Sequence, residues 1–165
     1  MLLRLLQRVF GIEEPSPYDP EEPLVREAQS DHAYMSIELL DNTGQRQKAV
    51  LGYCEGRFNH VMIHLPDSGR SFDANGVDLV EAFFAVRGQL DQAGLIPLLA
   101  GSRRDCYPAG DARNCDFGDR FYVLHDGQPP DPDNMVYLFA EAPPEQVVSF
   151  RQQQAAFAQW KRSLD

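Results

Sequence analysis

Two short apolar runs, residues 95–100 (LIPLLA) and 121–124 (FYVL), enclose twenty residues rich in glycine, arginine, aspartate and cysteine. Each run suits a buried strand, so the chain must join two strands through a long, shaped connection. Gly101, Pro108, Gly110 and Gly118 set tight backbone geometry inside that connection. A loop of about 20 residues is uncommon in compact domains unless it carries function, pairs locally or is disordered. Tyr107-Pro108 together with Arg103, Arg104 and Arg113 argue against disorder. They offer an aromatic anchor and fork-shaped donors for nearby carboxylates.

The rest of the chain organises around these runs. Residues 33–40 and 47–53 suit half-buried strands, and Asp41-Asn42-Thr43-Gly44 between them supplies hairpin turn chemistry. Residues 58–65 (FNHVMIHL) form a third strand that ends at Pro66, Asp67 and Gly69. From residue 76 to 93, Val77, Val80, Phe83, Phe84, Val86 and Leu90 recur at helical steps. Asp73 or Asn75 caps the start of that helix and Gly94 closes its end. Residues 135–140 (MVYLFA) read as a further strand. A final helical region begins around Pro143-Pro144-Glu145, with Val147, Phe150, Phe157, Trp160 and Leu164 forming its apolar stripe and the glutamines opposite. The expectation is an α+β fold, a single domain with a mainly antiparallel sheet and helices packed on one face.

That domain spans residues 31–165. Ahead of it, MLLRLLQRVF makes an amphipathic helix, and residues 11–23 carry four prolines and five acids, the composition of an extended linker. Ten residues interrupted by Arg4 and Arg8 are too short to span a bilayer. No small-residue cleavage site follows them, which speaks against a secretory signal. The helix is expected to pack on the domain or on a partner, with shallow membrane contact through residues 1–10 the lesser option.

Twenty-five acidic side chains against fifteen basic ones give a formal charge of -10. Such a charge repels phosphate backbones, excluding nucleic acid as a partner, and attracts a basic protein. Three cysteines, Cys54, Cys106 and Cys115, are an odd number at irregular spacing. That is no disulfide framework, and a cytoplasmic setting fits it.

Familiar chemistry finds little purchase. His60 and His64 share a face of the third strand with Cys54 upstream, but no closely spaced ligand pair accompanies them, so neither a metal nor another cofactor is expected. No glycine elbow flanks a cysteine and no Gly-x-Gly-x-x-Gly or Gly-Lys-Ser/Thr occurs. The binding candidates are therefore Arg103, Arg104, Asp105, Tyr107, Asp111 and Arg113, because arginine and tyrosine combine flat contact surface with directed hydrogen bonds. An arginine paired internally to Asp105 or Asp111 would instead pin the long loop onto its own domain.

Leu98-Leu99-Ala100-Gly101, Arg103, Asp105, Tyr107-Pro108, Gly110 and Arg113 resemble a family of small bacterial proteins with a Gly-x-Arg-x-Asp-x-Tyr-Pro loop. The sequence departs from that outline at Ala100, at Asp111 and at Cys115-Asp116-Phe117. Such proteins are similar in size and acidity to immunity proteins that neutralise bacterial toxins. The resemblance implies a non-enzymatic cytosolic binding module that occludes a basic toxin with an acidic surface. The alternatives are a scaffold protein docking through its amino-terminal helix, and an enzyme gripping an anionic substrate with the Arg103 to Asp119 loop.

Overall fold

The computed structural model describes residues 32–56, 59–109 and 118–165. The amphipathic segment 1–10, the acidic linker, Asp111, Arg113 and Cys115 lie outside the described residues. Four strands follow one another as antiparallel neighbours: β1 (Ala33–Leu40), β2 (Arg46–Cys54), β3 (Asn59–Leu65) and β4 (Arg70–Gly76). A two-residue strand, β5 (Ile96–Pro97), pairs with β1 and completes a five-stranded sheet in the order β4-β3-β2-β1-β5. A second, three-stranded sheet contains β6 (Cys106–Tyr107), β7 (Arg120–Val123) and β8 (Met135–Tyr137) in sequence order. The helices are α1 (Leu79–Gln92) and α2 (Phe150–Ser163). The mixed α+β single domain read from the sequence is the architecture found.

Register places the core. Met35, Leu51, Ile63 and Phe72 stand opposite one another in a row across β1 to β4, and Tyr53, Val61 and Ala74 make the next. On these rows α1 lays Leu79, Val80, Phe83, Val86 and Leu90, all buried. Burial of a Leu, Val or Phe side chain contributes about 1.5–3 kcal/mol, so this layer carries much of the fold.

The first hairpin follows its turn chemistry. The Asp41 carboxylate accepts from the Thr43 hydroxyl (2.6 Å), the Thr43 N–H (2.8 Å) and the Gln45 N–H (3.0 Å), and Gly44 takes the left-handed conformation at φ 80°. The Thr43 hydroxyl and then the Gln45 N–H bring the Asp41 carboxyl from its ordinary 3.8 down to about 2. A carboxyl lowered in the fold stabilises it above the unfolded value, and that contribution disappears as pH falls through the folded one. Asp41 is therefore expected to titrate near pH 2 by NMR, and Asp41→Asn should remove the part of the acid destabilisation lying between about pH 4 and 2. A titration near 3.8 would mean that the turn bonds are not made.

Several expectations need correction. Sequence pattern alone does not signal β4, because RSFDANG has no β-branched residue; it forms as an edge strand whose Phe72 and Ala74 turn to the core. Helix α1 starts at Leu79 rather than residue 76, and its cap is Asp78, not Asp73 or Asn75. Asp78 accepts from Glu81 N–H at 2.7 Å while the Glu81 carboxylate accepts from Val77 N–H at 2.9 Å, a reciprocal cap. Its end is as expected, with Gly94 at φ 69° and Leu95 N–H returning to Leu90 O at 2.9 Å.

The run 95–100 is not one strand. Pro97 stands opposite Leu39 and Leu98 N–H still donates to Glu38 O at 2.9 Å, but the Leu98 carbonyl turns to Ala142 N–H (3.0 Å), the chain leaves β1, and a 3-10 turn forms over Ala100–Ser102. At Gly101 a Cβ would lie 2.6 Å from the Phe83 ring and 3.0 Å from Leu138 O, so only glycine lets the turn approach this closely. The run 135–140 also breaks, after Tyr137. Ala140 N–H donates to Tyr137 O at 3.0 Å to make a turn there, and the carbonyl of buried Leu138 accepts from Gly101 N–H at 2.8 Å. Finally, α2 begins at Phe150 rather than near Pro143. Ser149 and Gln152 close a capping box there, and both oxygens of Asp91 accept from the Phe150 and Arg151 N–H groups at 2.8 and 3.0 Å.

Candidate functional site

Residues 98–109 cross the molecule between α1 and α2, and two buried side chains fix their course. Arg87, in α1, is fully buried and donates to Gly101 O (2.9 Å), Gln153 Oε1 (3.2 Å) and Val148 O (2.8 Å). Gln153, in α2, is also fully buried, and its Nε2 donates to Gly101 O (2.9 Å), Arg103 O (2.9 Å) and Cys106 O (2.8 Å). Among the described residues no carboxylate is paired with the Arg87 guanidinium; the rings of Phe83 and Phe150 lie 5.9 and 5.7 Å from it. Burial lowers its pKa to about 10, against a smaller upward pull from Asp91, so the group remains charged at neutral pH.

This pair corrects the placement of the glutamines opposite the apolar stripe. Gln153 points inward, whereas Leu164, expected on the stripe, is 43% exposed. A sequence signal for the pair exists. Arg87 stands on the stripe Val80, Phe83, Leu90 and Gln153 on the stripe Phe150, Phe157, Trp160, each the one polar residue among apolar ones at helical spacing. Two such interruptions are what a buried polar contact between helices produces.

The sequence-derived binding residues divide. Arg103 and Asp105 form a bidentate pair, Nε to Oδ1 at 2.9 Å and Nη2 to Oδ2 at 2.6 Å. The pair pins the loop internally, as one of the two expected roles. Its hydrogen bond raises the Arg103 pKa. At Asp105 burial pushes the pKa up, but the hydrogen bonds and charge of Arg103 outweigh it and the net shift is downward. With its fork engaged, Arg103 is not available to grip a substrate. Arg104 is. Its backbone N–H is held by Gln146 O at 2.9 Å, while its side chain is exposed and meets no carboxylate or other acceptor among the described residues.

Tyr107 stacks on Phe157 of α2 with ring centroids 3.9 Å apart, and Phe157 stacks on Trp160 at 5.5 Å. Trp160 is buried, and its Nε1 donates to both His125 O and Gln128 O at 3.1 Å, tying the loop after β7 to α2. Together these parts enclose a groove of about 160 Å³. Arg104, Asp105 and Tyr107 line one side, Ala156, Phe157, Gln159 and Trp160 the other, with Leu124 and Asp126 completing it. Asp111 and Arg113 fall outside the described residues. Three of the six candidates thus meet in one groove, and the aromatic wall from α2 was missing from the sequence-derived set.

Elsewhere the reactive groups are quiet. Cys106 is buried and held as a thiol, its pKa pushed up to about 12 mainly by burial and then by Asp105. His60 meets Asp73 at 3.4 Å and His64 Nδ1 meets Ser71 Oγ at 2.7 Å. Among the described residues no three His, Cys, Asp or Glu side chains are gathered for a metal ion, and no helix is long and apolar enough to cross a membrane. No family model matches the chain, and no curated protein matches it.

Proposed function

We propose that the protein is a non-enzymatic binding module that docks a basic protein surface against an acidic face, as an immunity protein does with a toxin. The observation that carries this reading is residues 121–150, thirty residues with five carboxylates and no Lys or Arg. All five, Asp126, Asp131, Asp133, Glu141 and Glu145, are exposed. The loop bearing the first of them is tied to α2 through Trp160, so Asp126 stands on a held segment. One-signed, held charge accelerates encounter with an oppositely charged partner and sets its orientation.

The test compares the full-length protein with an Asp126→Lys/Asp131→Lys/Asp133→Lys variant as tagged bait in lysates of the source cell and its competitors. The expected result is one basic protein retained by the original chain, weakened as salt rises from about 0.05 to 0.5 M and lost from the triple variant. Association should slow more than dissociation quickens, because exposed charges act mainly on the on-rate. Retention that ignores both salt and the triple substitution would overturn the reading.

A further inference from the structure

The groove between the Arg104 loop and α2 sets an exposed arginine against an aromatic wall beside the loop that carries Asp126. Arg104 projects from a backbone fixed on both sides, with its own N–H bound to Gln146 and the neighbouring Arg103 locked on Asp105. Its guanidinium meets no acceptor among the described residues, on a chain carrying ten more acidic than basic side chains. The Lys161 ammonium lies over the Phe157 ring at 5.9 Å and adds a second positive charge near the same wall. Of the two carboxylates lining the groove, Asp105 has both oxygens engaged by Arg103, which leaves Asp126 as the one negative group free of an ion pair.

The wall itself is aromatic. Tyr107, Phe157 and Trp160 form a continuous stack, and the enclosed volume is about 160 Å³. A protein cavity of roughly 150 Å³ accepts a benzene ring. A planar guanidinium beside such a wall matches a carboxylate bidentately, while the rings take an apolar body in stacked or edge contact.

We propose that this groove is a binding site for a carboxylate borne on an aromatic ring system, the ring against Tyr107, Phe157 and Trp160 and the carboxylate on the Arg104 fork. A free aromatic acid and the carboxyl end of a polypeptide with an aromatic last residue share this chemistry. The site stands whether or not the acidic face binds a basic protein.

Trp160 is the only tryptophan in the chain, so its fluorescence reads the groove directly in the full-length protein. The probes are 3-phenylpropionate and the peptide acetyl-Gly-Gly-Phe, each as the acid and as the neutral amide. Both acids are expected to give a saturable change, with the amides and the Arg104→Gln variant weaker by about tenfold or more, the usual worth of a charge-assisted contact. Asp126→Asn should tighten binding by removing a like charge. The exposed position of Arg104 lets the variant keep its fold, which circular dichroism verifies. Tighter binding of the peptide assigns the site to a chain end, and tighter binding of the small acid assigns it to a free ligand. No saturable change up to about 10 mM, equal binding of acid and amide, or an Arg104→Gln variant that binds as well as the original would each overturn the proposal.

Discussion

Replacing Gln153 with leucine is expected to cost about 3–5 kcal/mol of folding free energy, a large fraction of the total for a domain of this size. The amide nitrogen donates to three carbonyls, those of Gly101, Arg103 and Cys106, and the amide oxygen accepts from the Arg87 guanidinium. Leucine supplies none of these, and each buried group left unpaired costs about 1–3 kcal/mol. The melting temperature should fall by about 10 °C. Gln153→Glu makes the argument sharper. It preserves shape and could pair with Arg87, but it sets a carboxylate oxygen against three carbonyl oxygens, so it is expected to fail nearly as badly at neutral pH. Thermal and denaturant unfolding of the two variants decide the matter; a leucine variant as stable as the original would show that this amide holds nothing together.

The same hub shows where sequence reasoning reached and where it stopped. Hydrophobic periodicity locates α1, and the turn residues at Asp41 and Gly94 place two chain reversals correctly, because these are local properties of a few neighbouring side chains. Periodicity also contained the hub, since Arg87 and Gln153 interrupt their own apolar stripes. Only their contact across 66 positions shows that the two interruptions answer each other. Strand ends were less legible. The run 95–100 is uniformly apolar, yet it divides into an edge strand and a 3-10 turn because the chain leaves β1 after Leu98, whose carbonyl takes Ala142 N–H, and Gly101 must pass close to Phe83. Residues 135–140 are equally apolar, and they break at a turn in which Ala140 N–H donates to Tyr137 O and the Leu138 carbonyl takes Gly101 N–H. Uniform apolarity marks burial without saying which backbone geometry achieves it. For the groove, the Arg104 to Tyr107 side could be read from residue type. The Phe157 and Trp160 side could not, since its position depends on where Asp91 and Ser149 start α2.

Trp160 joins the fold to both proposed surfaces, and its replacement by alanine is expected to be the most damaging single change to the groove. The side chain is buried against Ala109 and Tyr122 and stacks on Phe157; removing so large a ring costs about 3–5 kcal/mol. Its indole N–H also holds the carbonyls of His125 and Gln128, so the loop presenting Asp126 loses its tie to α2. Trp160→Phe separates these two contributions. Phenylalanine keeps the stack but cannot donate, and the lost bonds should cost only about 1 kcal/mol because the freed carbonyls lie where water can reach them. With Trp160→Phe, hydrogen exchange of residues 125–134 should quicken while the core strands stay protected, and the on-rate for a basic partner should fall as the acidic loop becomes less ordered. Unchanged exchange in that loop would mean that the indole bonds do not restrain it, and that the acidic face owes its order to the flanking strands β7 and β8 instead.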